Sequence, residues 1–226
     1  MNSAPAPQRP GRRVGLRATP TLLALLTLAA SAAVVFEAQR VFRADWASMA
    51  QRQQVVSWLS AEVPVFSAED WDRAQAALQH SLALTPDDPS LHEGMGDLHS
   101  VAGRRDWADA ATRHAHFRRA AQSYETALRL RPVEPGAWAA LASARQSYEA
   151  PPELVQQAWT KALALGPYEG HVQLVLLQVA LADWDRATPA MHEWAKQLFD
   201  KGDSAKRAQI NAKARYYGLL FSADAP

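Results

Sequence analysis

The phrases LALTPDDP, LRLRPVEP and LALGPYEG begin at Leu82, Leu128 and Leu163. Each sets an apolar stretch against a proline, which cannot continue a helix because it lacks an N–H and clashes with the preceding turn. Three helices therefore stop at Pro86, Pro132 and Pro167. Five residues before these prolines stand Ser81, Ala127 and Ala162, all small, and eight before stand Leu78, Tyr124 and Trp159, all large and apolar. Residues three apart share a helix face. Each helix thus carries a bulky contact beside a small one, over which a neighbouring helix can approach closely.

The register continues past the prolines. Six residues on lie His92, Trp138 and Gln173; nine on lie Met95, Leu141 and Leu176; ten on lie Gly96, Ala142 and Leu177. The middle unit, PGAWAALASA with Trp138, Leu141 and Ala142, then Tyr148, Val155, Trp159, Ala162 and Pro167, resembles the tetratricopeptide repeat, a 34-residue helix-turn-helix. The distance from Pro132 to Pro167 is 35 residues and from Pro86 to Pro132 it is 46, and His92 and Gln173 replace the Trp. The resemblance covers roughly residues 71 to 182. It implies an all-α fold in which helix pairs stack into a short solenoid, since no pair buries its apolar face alone. It also implies a ligand groove lined by the first helix of each pair. By register that partner-binding groove contains Ser90, Glu93, Asp97 and Ser100, then Ala139, Ser143 and Gln146, then His171, Leu174 and Gln178. Family members that clamp a terminal carboxylate need Lys, Arg and Asn there, where this chain has Glu93 and Asp97. A groove acidic at one end and apolar at the other suits a basic or amphipathic helix.

The twelve extra residues of the first spacing fall where Trp107, Ala110, His114, Phe117, Ala121, Tyr124 and Leu128 recur at intervals of three and four. That pattern predicts one extended helix from about Asp106 to Leu130. Its extra turns could hold a partner or pack on the juxtamembrane helix. Upstream, Phe42, Trp46, Met49, Val56 and Leu59 give a rough helical stripe that continues the transmembrane helix into the soluble part, and Ser67 to Asp70 resembles a capping box. Downstream, residues 172–182 are apolar all round, and two capping helices follow, the second started by Asp203 or Ser204.

From Ala18 to Phe36 there are 19 uncharged, mostly apolar residues, close to what a hydrocarbon layer of about 30 Å requires. We read residues 18–37 as a transmembrane helix, residues 1–17 as a cytoplasmic Arg/Pro-rich tail, 38–66 as juxtamembrane helix and linker, 67–182 as repeats and 183–226 as capping helices. Arg9, Arg12, Arg13 and Arg17 outnumber Arg40 and Arg43, which keeps the N-terminus in the cytoplasm and the repeats in the periplasm. The rival is a signal peptide cleaved near Ala30-Ser31-Ala32, but the apolar run continues through Phe36.

Chemistry is sparse. No cysteine is present, which excludes disulfides, thiolate catalysis and Cys-ligated zinc. A formal charge of +1 gives no field for nucleic acid. His92-Glu93 begins like a zinc-protease motif, but Gly96 stands where the second His belongs. His114 and His116 point apart on a helix, and His92 and His99 share a face without a third ligand. We therefore expect no metal, no cofactor and no enzymatic activity, although Glu93 and Asp97 form an acid pair one turn apart. The layout, with LGPYEGHVQ through Trp184, resembles small anchored repeat proteins of exopolysaccharide polymerisation and export. That implies an inner-membrane adaptor whose partner is an envelope protein, a polytopic one above all. The alternatives are an accessory factor of protein translocation or cytochrome c maturation, and a subunit that packs its transmembrane helix on a polytopic partner through Ala29 and Ala33.

Overall fold

The structure, a computed structural model, describes residues 18–61, 64–105, 109–219 and 221. The expected tail 1–17, the first residues expected of the extended helix (106–108) and most of the C-terminal end lie outside them. Among the described residues every regular element is helical. They run α1 (Ala18–Ser60), α2 (Ala68–Leu84), α3 (Pro89–Gly103), α4 (Ala110–Leu130), α5 (Pro135–Ser147), α6 (Pro152–Leu165), α7 (Gly170–Ala182), a 3-10 turn (Trp184–Arg186), α8 (Pro189–Asp200) and α9 (Ser204–Tyr216).

The chain divides after Phe42 into two units. In the first, α1 exposes Leu22, Leu23, Leu25, Leu26, Leu28, Val34, Val35 and Phe36. The Thr27 hydroxyl donates to the Leu23 carbonyl at 2.7 Å, so a polar group in this stretch is satisfied inside its own helix. The helix that contains this stretch is long and apolar enough to cross a membrane.

The second unit is built from successive turns with one geometry. At the ends of α2, α4 and α6 the cap residues Thr85, Arg131 and Gly166 have φ/ψ of −133/75°, −136/79° and −132/55°. Their N–H groups return to Ser81, Ala127 and Ala162 at 2.8, 2.8 and 2.9 Å. The next helices start from Asp88, Glu134 and Glu169, at −85/109°, −87/104° and −77/114°. Between cap and cap each proline carbonyl would lack a donor, and it takes one from the residue six positions on. His92 Nε2, Trp138 Nε1 and Gln173 Nε2 reach Pro86, Pro132 and Pro167 O, each at 2.8 Å. A carbonyl only accepts, so His92 carries its proton on Nε2. Three unlike side chains therefore do one job.

The large and small residues behind each turn are buried as their spacing predicts: Leu78 with Ser81, Tyr124 with Ala127, Trp159 with Ala162. The Ser81 hydroxyl donates to the Ala44 carbonyl of α1 at 2.7 Å, a backbone approach that a larger residue at either position would block. The helix expected to continue beyond the apolar stretch does so, since α1 runs to Ser60. Phe42, Trp46, Met49 and Val56 are exposed, and the face of α1 that packs is Ala44, Ser48, Val55 and Trp58, with Leu59 beside them. At the Ser81 contact the α1 residue is the small Ala44. Arg104 then donates to the Trp58 and Leu59 carbonyls at 3.3 and 3.1 Å, satisfying the end of α1.

Two glycines set the α3–α4 contact. A Cβ on Gly96 would lie 2.5 Å from the Tyr124 ring, and one on Gly103 would lie 2.7 Å from Phe117. The extended helix starts at Ala110 rather than near Asp106, because Asp109 is in extended conformation and accepts from the Thr112 N–H at 2.8 Å. At 21 residues α4 still exceeds α2 and α6, which have 17 and 14. Its extra turns pack on α3 through Phe117.

The capping box is present, with Ser67 and Asp70 exchanging hydrogen bonds. Helix α7 is buried through Val172, Leu176, Leu177, Val179, Ala180 and Leu181. Leu176 and Val179 belong to the middle core, and Leu177 and Leu181 to a third core with Ala195, Phe199, Ile210 and Ala214 of α8 and α9. Asp203 caps α9.

Replacing Gln173 by Leu deletes the donor to Pro167 O. We expect a loss of about 1 kcal/mol, measured by thermal melting of the full chain in detergent. Gln173→His, which restores an N–H as at Pro86, should recover most of the loss.

Candidate partner-binding groove

Ser90, Glu93, Asp97 and Ser100 follow one another at spacings of three and four along α3, so they share one helix face. Side chains from α4 and its cap occupy its acidic part. Tyr124, on α4, passes over Gly96 and donates its hydroxyl to Asp97 Oδ1 at 2.7 Å. The same hydroxyl oxygen lies 3.2 Å from Ser100 Oγ, which completes the chain of donors. Arg131, the cap residue after α4, donates to Glu93 Oε1 at 2.7 Å and lies 3.4 Å from Glu134. Ser90 uses its backbone N–H on the Asp88 side chain.

Burial dominates the electrostatics. Loss of water around Asp97 pushes its carboxyl up to about 6, against the Tyr124 hydroxyl that favours the anion, and the Glu93 charge adds to the rise. Glu93 is also raised, first by burial, with Arg131 opposing it. Tyr124 is held well above its ordinary range by burial and by the Asp97 charge. The acid pair is thus held by two partners from α4 and its cap, and neither carboxylate stands bare before a partner.

The rest of the register diverges. Ala139 is buried and presents no surface. Ser143 is half-buried, its carbonyl taking the Ser147 hydroxyl. Gln146 donates to the Val179 carbonyl at 2.8 Å and ties α5 to α7. His171 is exposed, with Nε2 3.7 Å from Glu169. Leu174 and Gln178 are half-buried, and Gln178 bonds the Tyr217 hydroxyl. The reachable positions are therefore Ser90, Ser143, His171 and Leu174. Beside Gln146 a shallow pocket opens, lined by Glu149, Val155, Val179, Asp183 and Met191. Glu149 sits at φ 60°, a left-handed position that costs a residue with a Cβ about 1 kcal/mol.

The histidines fall apart as a ligand set. His92 is turned to Pro86, while His99 pairs with His116, Nδ1 to Nδ1 at 3.4 Å, under the Trp71 ring. One of the two imidazoles must donate and the other accept. Burial pulls His99 down to about 4, with the His116 and Arg119 charges adding to it. Among the described residues no three potential ligands converge on one point. Tyr124, Arg131 and the His99–His116 pair were invisible to the register argument, because each contact joins residues 17 to 38 positions apart.

The raised carboxyl of Asp97 makes a signed prediction. Its native form holds the proton more tightly than the unfolded chain does, so its favourable contribution is complete below pH 3.8 and lost as pH rises through about 6. Asp97→Asn keeps an acceptor for Tyr124 and has no charge to bury. It should melt higher than wild type by about 1–2 kcal/mol in stability at pH 7.5 and converge on wild type near pH 4. Parallel melts between pH 4 and 8 measure this.

The chain matches no protein-family model, and no curated protein or solved structure matches it.

Proposed function

We propose that this protein is a membrane-anchored adaptor of tetratricopeptide type, whose repeats face the periplasm and recruit a partner within an envelope assembly. The observation that carries the reading is the threefold recurrence of one turn, with matched cap angles and a side-chain N–H on each proline carbonyl. Repeated pairs of this kind build binding surfaces rather than enclosed reaction chambers. The apolar α1 stretch supports the anchor, and the arginine excess before it supports the orientation.

The partner's chemistry follows from the groove. Glu93 is paired with Arg131, so a basic peptide would have to displace an existing ion pair to use it. The accessible face, Ser143, His171 and Leu174, suits an amphipathic helix laid with its apolar side down. Polysaccharide polymerisation and export is the assembly we favour. Translocation or cytochrome c maturation would use the same surface.

Site-specific photocrosslinking in intact cells tests the reading. Probes at His171 and Ser143 should capture one and the same separate envelope protein, whereas a probe at the buried Ala142 should capture none. Adducts confined to the chain itself would mean that the groove is filled from within, and the adaptor reading would fail.

A further inference from the structure

The contact between α3 and α4 holds a second titratable pair besides the acid pair of the groove. His99 of α3, only 5% exposed, faces the half-buried His116 of α4, with Nδ1 3.4 Å from Nδ1. The two ring centroids lie 5.6 Å apart, and the Trp71 ring of α2 stands 6.1 Å from His99 and 6.0 Å from His116. Three helices meet at this one cluster.

Two facing ring nitrogens hold one proton between them, with one imidazole donating and the other accepting. When both rings are charged each Nδ1 carries a hydrogen, so two donors point at one another and the contact is lost. Burial disfavours the charged form at both positions as well. The surrounding charges offer no relief. Arg119 of α4 acts on both rings and has the sign of an imidazolium. Asp72 of α2 and Arg105, just past α3, line a cavity of about 220 Å³ together with His116. Asp72 is exposed, so solvent screens it. Asp97, two residues before His99, is turned to Tyr124.

The acid pair responds in the opposite sense. Asp97 accepts from the Tyr124 hydroxyl in either protonation state, and a proton removes its buried charge. The two clusters also sit at different heights on α4. Phe117, next to His116, packs at Gly103, whereas Tyr124 packs at Gly96.

We propose that the His99–His116 contact is an acid-sensitive latch. It holds the first half of α4 on α3 while the pair shares one proton, and it releases that half when both rings are charged. The Tyr124 end stays closed. Because both imidazoles are held below their ordinary range, the contribution of the latch is complete above pH 6.5 and is lost as pH falls toward about 4. Release uncovers Phe117, which is otherwise buried.

Hydrogen–deuterium exchange of the full-length protein in detergent, read by mass spectrometry and corrected for the intrinsic pH dependence of amide exchange, tests this. Between pH 7 and pH 4 the amides of residues 113–119 should exchange at least about tenfold faster, the factor that one proton supplies per pH unit. Those of 124–130 and of α5 to α7 should keep their neutral rates. His116→Gln retains a donor and an acceptor toward His99 and removes one of the two charges, so it should cut the acid response by about tenfold. His99→Gln should do the same, and serves where the first variant does not fold at pH 7. In the wild type itself, the nuclear magnetic resonance shifts of the His99 and His116 ring protons should move over the same pH range as the exchange. No acid response at 113–119, an equal response along all of α4, rings that charge with no change in exchange, or an undiminished response in a folded Gln variant would each overturn the proposal.

Discussion

A proline just beyond the end of a helix holds its own carbonyl outside the helical ladder, in want of a donor. In this chain the following helix supplies that donor, from a fixed position in its second turn. The recurring turn is organised around it. With the carbonyls of Pro86, Pro132 and Pro167 bonded at one common distance, the exit direction of each turn is set. The large and small residues behind it then meet the next helix at the same height. Each of these turns thus pairs one exposed polar contact with the apolar packing behind it.

The same logic explains how polar groups are used in the second unit. Ser81 bonds the Ala44 carbonyl, Arg104 the end of α1, Gln146 the Val179 carbonyl and Trp159 the Leu176 carbonyl. Arg145, 8% exposed, donates to the Leu154 carbonyl and to Glu125, joining three helices. Each bond connects a side chain to the backbone or charge of a neighbouring helix. Apolar contact would tolerate sliding between neighbours, and these bonds do not.

Much of this was legible in the sequence. The stop of three helices, the burial of Leu78, Tyr124 and Trp159 with their small companions, the Ser67–Asp70 box and the burial of α7 follow from proline chemistry and spacing. Three things did not follow. The stripe of Trp46 and Met49 marked α1 as a helix without showing which face packs, and close approach to Ser81 selects Ala44 there. His92 and Gln173 read as losses of an aromatic, because apolar pattern is blind to a shared N–H. The acid pair read as open, because Tyr124 and Arg131 lie far along the chain and only the closeness permitted by Gly96 brings Tyr124 to it.

The three cores are strung in chain order. The first runs from Val55 to Val101, the second from Ala120 to Met191 and the third from Leu177 to Ala214. Each is completed by residues that are near one another in sequence, so closing it requires only short loops and little chain entropy. A polypeptide emerging N-terminus first can therefore finish its first layer, against the end of α1, before the second has been synthesised. Growth from one end lets assembly proceed while the remaining length is still being made.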